Sequence, residues 1–374
     1  MKSVNQQKII VDLVVGARPN LMKIAPLFHE IAKSNLLEAR LIHTGQHSSA
    51  EMSEVFFRLF SLPKPDHLLQ EVSGTPSEQI AKIMNFYDGV IKKSRPDVCI
   101  VVGDVTSSLA CALVAVKEGI TTCHVEAGLR SGDRTMPEEI NRIAIDALSD
   151  ILYTPSPDAQ ENLLRENKSL STIHPVGNIM IDSFEMMKVA ISEKHSYLNF
   201  GQSPQSYGLV TFHRPANVDH PETLKNILAQ LVTLSEEIPL IFPIHPRTKS
   251  KMEDFGFGEI LESGRVIACE PLDYLSFMSL VVNAKIVITD SGGVQEETTY
   301  LGIPCLTVRE NTERPITITQ GTNQLVHVDE LSSVSSLSLT SPKAKTQIPD
   351  LWDGKTASRI VEHLESFYLS GLKG

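Results

Sequence analysis

The sequence is poor in the features that mark secreted and membrane proteins. It has five cysteines, an odd number without CxxC spacing, which indicates reduced, buried thiols rather than a disulfide framework or a zinc site. These are Cys99, Cys111, Cys123, Cys269 and Cys305. No apolar run approaches the roughly 18 residues of a membrane span. The first apolar run, Ile9–Val15, is short and interrupted by Asp12, so it is a poor signal peptide. We therefore expect a cytoplasmic protein that does not enter a membrane.

Basic residues are also fewer than acidic ones. The chain carries 34 lysines and arginines against 45 aspartates and glutamates, a net charge of −11. This balance argues against nucleic acid or an anionic membrane as a partner, although it leaves room for a local basic pocket. The sequence also lacks a GxGxxG fingerprint and a Walker loop, so it does not support dinucleotide or P-loop chemistry.

Short apolar runs rich in β-branched residues alternate with helical patterns along the whole chain. Runs such as Ile9–Val15 and Val98–Val102 are apolar on both faces, which indicates a parallel sheet covered by helices. The pattern restarts in the second half, and 374 residues are too many for one ordinary core. We therefore predict an α/β protein with two domains, 1–190 and 191–355, followed by a helix near Thr356–Tyr368. Ligands of such sheets bind beyond the carboxyl ends of the strands.

The densest group of charged residues lies between His124 and Arg142, after one apolar run and before a helix. It combines carboxylates with arginines, an arrangement suited to moving protons beside an anion. Among them are Glu126, Asp133, Glu138, Arg130, Arg134 and Arg142. Asp104 follows the apolar run Val98–Val102 at another strand end. Helix capping explains Asp104 equally well from the sequence alone.

The helix predicted over Pro137–Leu148 has an apolar stripe and a charged side. Its apolar residues recur at helical spacing and predict the buried face. They are Ile140, Ile143, Ala144, Ala147 and Leu148. On the other side, Glu138 and Arg142 are four residues apart, which favours an ion pair along the helix. Thr135 and Glu138 also match a capping box, which is the structural alternative for Glu138.

Two strand ends in the second half each present a histidine and an arginine. His213 and Arg214 follow the apolar run Tyr207–Phe212, and His245 and Arg247 follow the next run. A single histidine is usually a structural residue. Two such pairs at equivalent places in one domain favour a functional site.

The strongest phosphate signal is the segment Ile288-Thr-Asp-Ser-Gly-Gly, where an apolar strand meets a helix. Backbone N–H groups, the Ser291 hydroxyl and the helix dipole would together hold a diphosphate. Glu296 and Glu297, one turn into the helix, would accept hydrogen bonds from sugar hydroxyls. The alternative is a glycine-rich turn that serves packing. Arg309–Pro315 follows the last strand and adds further cations and acids.

Two shorter signals occur near the beginning of the chain. Gly16-Ala-Arg18-Pro19 joins a strand to a helix and offers an arginine beside a helix N-terminus, a natural phosphate site. An ordinary turn with a surface arginine explains these residues as well. His43 and His47 have the chemistry of metal ligands, but no third ligand has supporting spacing, so a polar loop is the better interpretation.

Taken in order, these motifs resemble those of the non-hydrolysing UDP-N-acetylglucosamine 2-epimerase family. The resemblance covers nearly the whole chain, through Gly16-Ala-Arg-Pro, Gly103-Asp, His124-Val-Glu-Ala-Gly-Leu-Arg, Pro137-Glu-Glu-Ile-Asn-Arg, His213-Arg, His245-Pro-Arg, Asp290-Ser-Gly-Gly-Val-Gln-Glu-Glu and Thr312-Glu-Arg-Pro. It implies a GT-B fold, with two Rossmann-like domains whose parallel sheets face a central cleft. It also implies that a C-terminal helix, 356–374, packs back on the first domain, that the protein is a homodimer, and that it uses no redox cofactor or catalytic metal.

The resemblance implies roles for individual residues as well. The catalytic positions that it matches are Asp104, Glu126, Glu138, His213 and Arg142, with Arg142 orienting Glu138 or the phosphate. The UDP-binding positions are Arg18, His245, Arg247, Phe277, Ser291, Gly292, Gly293, Glu297 and Arg314. A possible allosteric site for a second UDP-sugar involves Gln46, His47 and Arg214.

The implied reaction is epimerisation of UDP-GlcNAc to UDP-ManNAc at C2, feeding surface polysaccharide synthesis. Anti elimination of UDP would leave a 2-acetamidoglucal, and syn re-addition would follow, so the site needs two acid/base groups and cations for the diphosphate. Only Arg134-Thr-Met136 separates Asp133 from Pro137, where many relatives have a longer segment. A 3-acetamido uronate is therefore an alternative substrate. A GT-B glycosyltransferase, a hydrolysing epimerase and a sugar-nucleotide sensor are the alternative functions.

Overall fold

The computed structural model describes residues 8–45, 50–70, 72–340 and 347–371. The chain is divided into two compact units. The first comprises Met1–Met186 and Asp350–Gly374, and the second comprises Met187–Pro349. The division falls inside the helix Ile179–Lys194.

The first unit alternates parallel strands with helices. In chain order these are β1 Ile9–Val15, α1 Arg18–Ile31, β2 Leu37–His43, α2 Ala50–Leu59, β3 His67–Leu68, α3 Pro76–Lys93, β4 Val98–Val102, α4 Thr106–Lys117, β5 Thr121–Val125, α5 Pro137–Leu148, β6 Ile151–Thr154, α6 Pro157–Arg165, β7 Ile173–Pro175 and α7 Ile179–Lys194. The strands form one sheet in the order β3-β2-β1-β4-β5-β6-β7.

The second unit repeats this architecture with a smaller sheet. Its elements are β8 Gly208–Thr211, α8 Pro215–Val218, α9 Pro221–Ser235, β9 Leu240–Pro243, α10 Pro246–Asp254, β10 Val266–Cys269, α11 Tyr274–Asn283, β11 Ile286–Thr289, α12 Gly292–Leu301, β12 Cys305–Thr307, α13 Ile316–Thr319, β13 Asn323–Leu325 and α14 Leu331–Thr340. The strands are parallel in the order β10-β9-β8-β11-β12-β13. The chain then returns to the first unit, where α15 Thr356–Gly371 packs against α1.

Burial explains why the strand sequences lack apolar/polar alternation. All five residues of β4 are buried, because interior strands of a parallel sheet pack on both faces. Cys99 and Val101 of β4 share one cluster with Ile83 of α3 and Ala110 of α4. In the second unit, Phe212 packs edge to face against Phe242, with ring centroids 6.3 Å apart, inside the cluster that α9 covers. Each sheet therefore has its own apolar core.

The predicted α/β class with parallel sheets is confirmed. The predicted strands Ile9–Val15 and Val98–Val102 and the predicted helix Pro137–Leu148 have the predicted bounds. Strands β3, β7 and β13 were not predicted, because segments of two or three residues are too short to show a pattern. Within the described ranges, no helix is long and apolar enough to span a membrane.

Each sheet reverses its strand order once, and polar residues follow the strands at that place. In the first unit the reversal lies between β1 and β4, and Asp104 comes two residues after β4. Glu126 directly follows β5, the neighbour of β4. In the second unit the reversal lies between β8 and β11, which His213 and Asp290 follow. Ligand sites of open parallel sheets form at such switch points.

The returning C-terminal segment is fastened to the first unit by polar contacts. The Asp182 carboxylate accepts hydrogen bonds from the N–H groups of Thr356 (3.1 Å) and Ala357 (2.7 Å), which would otherwise lack partners at the start of α15. The indole N–H of Trp352 donates to the Pro155 carbonyl oxygen over 2.9 Å. Gly177 lies beneath this segment with φ +94°, and a Cβ there would lie 2.1 Å from the Leu351 carbonyl oxygen.

We therefore expect Gly177→Ala to destabilise the first unit by about 3 kcal/mol or more, because a clash adds to the cost of a left-handed alanine. Gly119→Ala is the matched control, since Gly119 also has a positive φ (+65°) but its nearest neighbour would lie 3.8 Å from a Cβ. The control should lose only about 1–2 kcal/mol. Urea unfolding followed by the fluorescence of Trp352, the only tryptophan, measures both. Equal losses in the two variants would contradict the clash.

Candidate active site

Glu126 is held in a strained and buried position by a lysine. It directly follows β5, has φ 71°, and is 5% exposed. Lys23 of α1 places Nζ 2.5 Å from Glu126 Oε2. Glu126 Oε1 is buried and has no hydrogen-bond partner among the described residues. A left-handed glutamate with one unused oxygen is costly for folding, and such strain is typical of functional sites.

Gly103 allows the ends of β4 and β5 to approach each other. Its φ is +63°, and a Cβ there would lie 3.3 Å from both Glu126 Oε2 and Lys23 Nζ. The Gly103 N–H donates to the Val125 carbonyl oxygen over 3.0 Å. The turn that carries Asp104 is therefore in contact with the Lys23–Glu126 pair.

The second carboxylate, Asp104, is paired with a buried arginine. Arg142 of α5 is 4% exposed and places Nη2 2.5 Å from Asp104 Oδ2 and Nη1 2.9 Å from Glu139 Oε2. Glu139 is buried, which opposes its ionisation, but N–H groups of Ser131 and Gly132 and the Arg142 guanidinium together lower its pKa. Arg142 is therefore anchored by Glu139 on one side and holds Asp104 on the other.

These contacts correct three predictions about α5. The buried face carries Glu139, Arg142, Ile145 and Asp146, whereas Ile140 is 40% exposed, so the predicted apolar stripe is wrong. The predicted Glu138–Arg142 ion pair is also wrong, because Arg142 pairs with Glu139 and Asp104. Glu138 is exposed and makes no ion pair with another described residue.

The predicted capping box at Thr135 and Glu138 is wrong as well. The helix begins one residue later, with Met136 as N-cap and Pro137 as its first residue, and Met136 has no side-chain acceptor. Thr135 instead directs its N–H and hydroxyl to Asp133 Oδ1, at 2.9 and 2.7 Å. The first two corrections have one physical reason, which is that the charged side of α5 faces inward, towards Asp104 and the N–H groups of Ser131 and Gly132.

Asp290 organises the site of the second unit. It directly follows β11, is fully buried, and accepts hydrogen bonds from the N–H groups of His213 (3.1 Å) and Arg214 (2.9 Å) and from the Asn217 amide (3.1 Å). His213 Nδ1 lies 3.2 Å from Asp290 Oδ1. Burial lowers the pKa of His213, although Asp290 opposes the shift, and the nearby arginines strengthen it. The ring therefore favours its neutral form.

The N-terminus of α12 lies beside a cluster of arginines. Ser291 is its N-cap and makes no side-chain capping bond. A Cβ on Gly292 would lie 2.8 Å from Arg314 Nη1, so a larger residue there would displace the arginine. Arg309 Nη2 lies 2.9 Å from Glu313 Oε2, whereas its buried Nη1 has no hydrogen-bond acceptor in the described part of the chain. Helix N–H groups beside an unused buried guanidinium donor are suited to an anion.

Glu296 and Glu297 differ in their surroundings. Glu296 Oε1 lies 2.7 Å from Arg314 Nε, so this carboxylate is already ion-paired. Glu297 receives a hydrogen bond from the Tyr274 hydroxyl over 3.3 Å. Burial and the neighbouring charge of Glu296 raise the pKa of Glu297 to about 8. Of the two glutamates, Glu297 is the one that pairs with no arginine among the described side chains.

The raised pKa of Glu297 predicts a pH dependence of stability. Between its ordinary value of 4.5 and about 8, the folded protein binds a proton that the unfolded chain has released. Stability should therefore fall with rising pH across this window, by up to about 1.4 kcal/mol per pH unit. Glu297→Gln removes this contribution, so the variant should gain stability over the natural protein towards about pH 8. Urea unfolding followed by circular dichroism across the window checks this, and parallel pH profiles would contradict it.

The other predicted residues differ in how close they lie to these networks. His245 is the N-cap of α10 and its ring lies 5.3 Å from that of His213, while Arg247 forms a bidentate pair with Asp219 at an exposed site. Phe277 is a half-buried residue of α11. Arg214 donates from Nε to the Asp290 carbonyl oxygen over 2.9 Å. Arg18 begins α1 but its side chain is not described, and Gln46 and His47 lie outside the described residues.

Four residues of these networks were not among the predicted site residues. They are Lys23, Glu139, Asp290 and Arg309. Lys23 had a signal, since it is the only charged residue in the apolar segment Leu21–Ala25 of a predicted helix. Asp290 stands at a strand end inside the predicted phosphate motif. Glu139 had no signal, because helix spacing assigned it to the solvent side.

Metal binding was the less favoured interpretation of His43 and His47. His43 is buried, its Nδ1 accepts a hydrogen bond from the Gly45 N–H over 3.1 Å, and burial lowers its pKa. The described ranges contain no group of three or more histidine, cysteine, aspartate or glutamate side chains that could hold a metal ion.

Comparison with known proteins identifies relatives along most of the chain. The family model described as UDP-N-acetylglucosamine 2-epimerase matches residues 29–365. The UDP-N-acetylglucosamine 2-epimerase of Methanocaldococcus jannaschii is 40% identical over 361 residues, which cover 95% of this chain and 98% of that protein. The UDP-2,3-diacetamido-2,3-dideoxy-D-glucuronate 2-epimerase of Pseudomonas aeruginosa is 36% identical, covering 94% of this chain and 98% of its own.

Solved structures agree with these relatives. The Methanocaldococcus jannaschii UDP-GlcNAc 2-epimerase in complex with UDP-GlcNAc and UDP has a TM-score of 0.86 and 39% identity, covering 96% of this chain and 100% of that one. Medicago truncatula UGT71G1 complexed with UDP-glucose, a GT-B glycosyltransferase, has a TM-score of 0.63 at 12% identity, covering 97% of this chain and 95% of that one, a likeness of fold alone. The predicted GT-B fold is confirmed. The chain belongs to the UDP-N-acetylglucosamine 2-epimerase family, whose members are isomerases.

Proposed function

We propose that the protein interconverts a UDP-N-acetylhexosamine and its C2 epimer, with UDP-GlcNAc and UDP-ManNAc as the pair. The observation that carries this proposal is the presence of two ion-paired carboxylates, Glu126 and Asp104, after adjacent strands of a chain that belongs to this family. Each carboxylate lies beside a cation, Lys23 or Arg142, that holds it in place, and a carboxylate is a common general base.

Inversion at C2 requires the departure of UDP. The C2 proton is not acidic in the intact sugar, because no carbonyl group stabilises the carbanion. As the C1–O bond to UDP breaks, positive charge develops at C1 and the C2 proton becomes acidic. A base removes it and a C1–C2 double bond forms, giving a 2-acetamidoglucal and UDP. Protonation of C2 on the opposite face and re-addition of UDP at C1 give the epimer.

This course needs a proton acceptor and a proton donor on opposite faces of the sugar. In our proposal Asp104, Glu126 and Glu138 supply them. Arg142 orients Asp104, whereas the sequence had predicted that it orients Glu138 or the phosphate. Lys23 holds Glu126 through Oε2, which leaves Oε1 for the substrate. His213, neutral and held by Asp290, supports the departure of UDP.

We assign the diphosphate to the second unit. The Ser291 hydroxyl and the first N–H groups of α12, at Gly292 and Gly293, would bind its oxygens. Arg309 and Arg314 would neutralise the negative charge that develops on the departing UDP. Glu297 would accept a hydrogen bond from a ribose hydroxyl. The remaining UDP-binding positions in the proposal are Arg18, His245, Arg247 and Phe277.

The identity of the sugar is the finer part of the proposal. The two relatives named above act on UDP-GlcNAc and on a diacetamido glucuronate according to their names, at 40% and 36% identity. We favour UDP-GlcNAc as the substrate. The short segment Arg134-Thr-Met136 is the part of the chain that we expect to discriminate between sugars with different substituents at C3. The glycosyltransferase alternative is supported only by a likeness of fold.

Incubation of the protein with each UDP-sugar separately, followed by NMR of the products, tests the proposal. We expect UDP-GlcNAc to yield UDP-ManNAc without accumulation of free UDP. Conversion of only the 2,3-diacetamido glucuronate would move the substrate assignment and keep the reaction type. Stoichiometric release of UDP would instead indicate a hydrolysing enzyme, and transfer to an added sugar acceptor would indicate a glycosyltransferase.

The remaining parts of the proposal concern assembly, location and regulation. A homodimer follows from the resemblance, and the outward apolar residues of α5, such as Ile140, offer a surface for a second copy. Sedimentation equilibrium would measure the mass. A cytoplasmic location and a role in surface polysaccharide synthesis agree with five free cysteines and a UDP-sugar product. An allosteric site at Gln46, His47 and Arg214 stays a prediction.

A further inference from the structure

His124 is fully buried and uses both ring nitrogens, although nothing above gives it a function. It belongs to β5, two residues before Glu126. Nε2 lies 3.1 Å from the Gly103 carbonyl oxygen, and Nδ1 lies 2.6 Å from Asp146 Oδ1. A carbonyl oxygen can only accept a hydrogen bond, so Nε2 is the donor in the first contact.

The partners of Asp146 indicate that Nδ1 donates as well. Asp146 Oδ2 accepts hydrogen bonds from the Gly128 N–H over 3.0 Å and from Arg130 Nη1 over 2.7 Å. Burial opposes the ionisation of Asp146, but His124 and Arg130 lower its pKa overall. A charged carboxylate offers only acceptors, so both ring nitrogens of His124 are hydrogen-bond donors.

The ring of His124 is one of three links between α5 and the turn at residues 103–104. Asp146 reaches the Gly103 carbonyl oxygen through His124. Asn141 donates from Nδ2 to the Asp104 carbonyl oxygen over 2.8 Å, and Arg142 holds the Asp104 carboxylate. Gly103 and Asp104, consecutive residues of this turn, are thus fixed to α5. Gly103 also lies beside the Lys23–Glu126 pair.

We propose that His124 is a positioning residue of the epimerase. By donating from both ring nitrogens, it fastens the Gly103–Asp104 turn to α5 and so sets the geometry of Asp104 relative to Glu126. This inference rests on the proposed function. A fully buried ring does not touch the substrate, so its effect passes through the two carboxylates. Misplacement of a reacting group by about 1 Å can cost about 100-fold in rate.

The test is a pair of variants in which the second restores what the first removes. In His124→Gln, one end of the amide donates and the other accepts, so an oxygen faces either Asp146 or the Gly103 carbonyl oxygen. We expect kcat to fall about 100-fold and KM to change by less than about threefold. Adding Asp146→Asn supplies a donor to the new oxygen and should recover at least about tenfold in kcat.

His363→Gln is the matched control. His363 Nδ1 is hydrogen-bonded to the Tyr153 hydroxyl over 2.9 Å in the same unit, but on α15, and this variant should keep its kcat. An unchanged kcat in His124→Gln would overturn the proposal, as would a double variant no better than the single one. If His124→Gln does not fold, the kcat of the single variant Asp146→Asn tests the proposal. Its amide can donate to Nδ1 while Nε2 still donates, so a loss of about 100-fold in the folded variant would overturn the proposal.

A measurement without substrate separates this inference from the proposed function. ¹⁵N NMR of histidine-labelled full-length protein should show one ring with N–H signals from both nitrogens, and His363→Gln should retain it whereas Asp146→Asn should lose the Nδ1–H signal. Absence of such a ring from the natural protein would overturn the inference whatever the enzyme does. If the natural protein shows this ring but epimerises no UDP-sugar, the proposed function is contradicted and the hydrogen bonding inferred for His124 is not.

Discussion

Replacing Glu126 by glutamine should lower kcat by about 10³- to 10⁴-fold, because the substitution removes a group that transfers a proton and keeps the shape of the side chain. The fold should persist, since the new amide oxygen can still accept a hydrogen bond from Lys23. The proposed diphosphate site lies in the other unit, so the Kd for UDP should change by less than about threefold. Turnover by NMR and UDP binding by calorimetry measure the two effects separately.

Glu161→Gln provides the control for this variant. Glu161 is an exposed residue of α6 in the same unit and pairs with Arg165 along its own helix. Its replacement should leave both kcat and the Kd for UDP unchanged. Retention of turnover in Glu126→Gln would contradict the proposed proton transfer. A loss of folding would instead show that the Lys23–Glu126 pair serves the structure of the strand end.

Replacing Lys23 by methionine is expected to have the second large effect, on both stability and turnover. The change leaves the buried Glu126 carboxylate without its cation, and breaking a buried ion pair from one side costs about 3–5 kcal/mol. In the double variant Lys23→Met with Glu126→Gln, no charge remains to be desolvated, so most of the stability should return while turnover stays absent. Urea unfolding followed by Trp352 fluorescence gives the free energies.

Lys33→Met separates this effect from the general loss of a positive charge. Lys33 is 71% exposed and pairs with Glu30 three residues away, so its replacement should change stability by less than about 0.5 kcal/mol. If Lys23→Met were as stable as Lys33→Met, the buried pair would contribute nothing to the fold. If the double variant were active, Glu126 would have no part in the chemistry.

The strand ends were predictable because two independent signals coincide there. A run such as Val98–Val102 predicts a buried parallel strand. Packing in the core does not explain a charged residue at the end of such a strand. That combination identified Asp104, Glu126, His213 and the Ser291 loop from the sequence. The physical rule that ligands bind at the carboxyl ends of parallel strands then connects them within each unit.

Helix α5 shows where sequence reasoning failed. The periodicity of Ile140, Ile143 and Leu148 is real, but burial depends on what the helix packs against. In this protein α5 packs against α4 and also meets the polar strand ends, and its charged side faces inward. No pattern within the helix reveals that partner. The same limit applies to Lys23 and Asp290, whose importance depends on residues about 100 and 77 positions away along the chain.

Glu126 also illustrates why backbone strain could not be predicted. Nothing in His124-Val-Glu-Ala marks the third residue for a positive φ, which glycine would adopt more readily. The surrounding structure imposes it, through the Lys23 pair and the hydrogen bond from the Ala127 N–H to the Tyr153 carbonyl oxygen at 3.0 Å. The sequence therefore predicted a carboxylate at this strand end, while its unused oxygen and its pairing with Lys23 emerged only from the fold.

The reaction in deuterated water tests the central proposal most directly. If the protein removes the C2 proton during elimination of UDP, incubation with UDP-GlcNAc should place solvent deuterium at C2 in both UDP-GlcNAc and UDP-ManNAc, with free UDP remaining a minor species. The same result with the 2,3-diacetamido glucuronate alone would keep the chemistry and change the sugar. Epimerisation without deuterium at C2, or no exchange with any UDP-N-acetylhexosamine, would contradict the account.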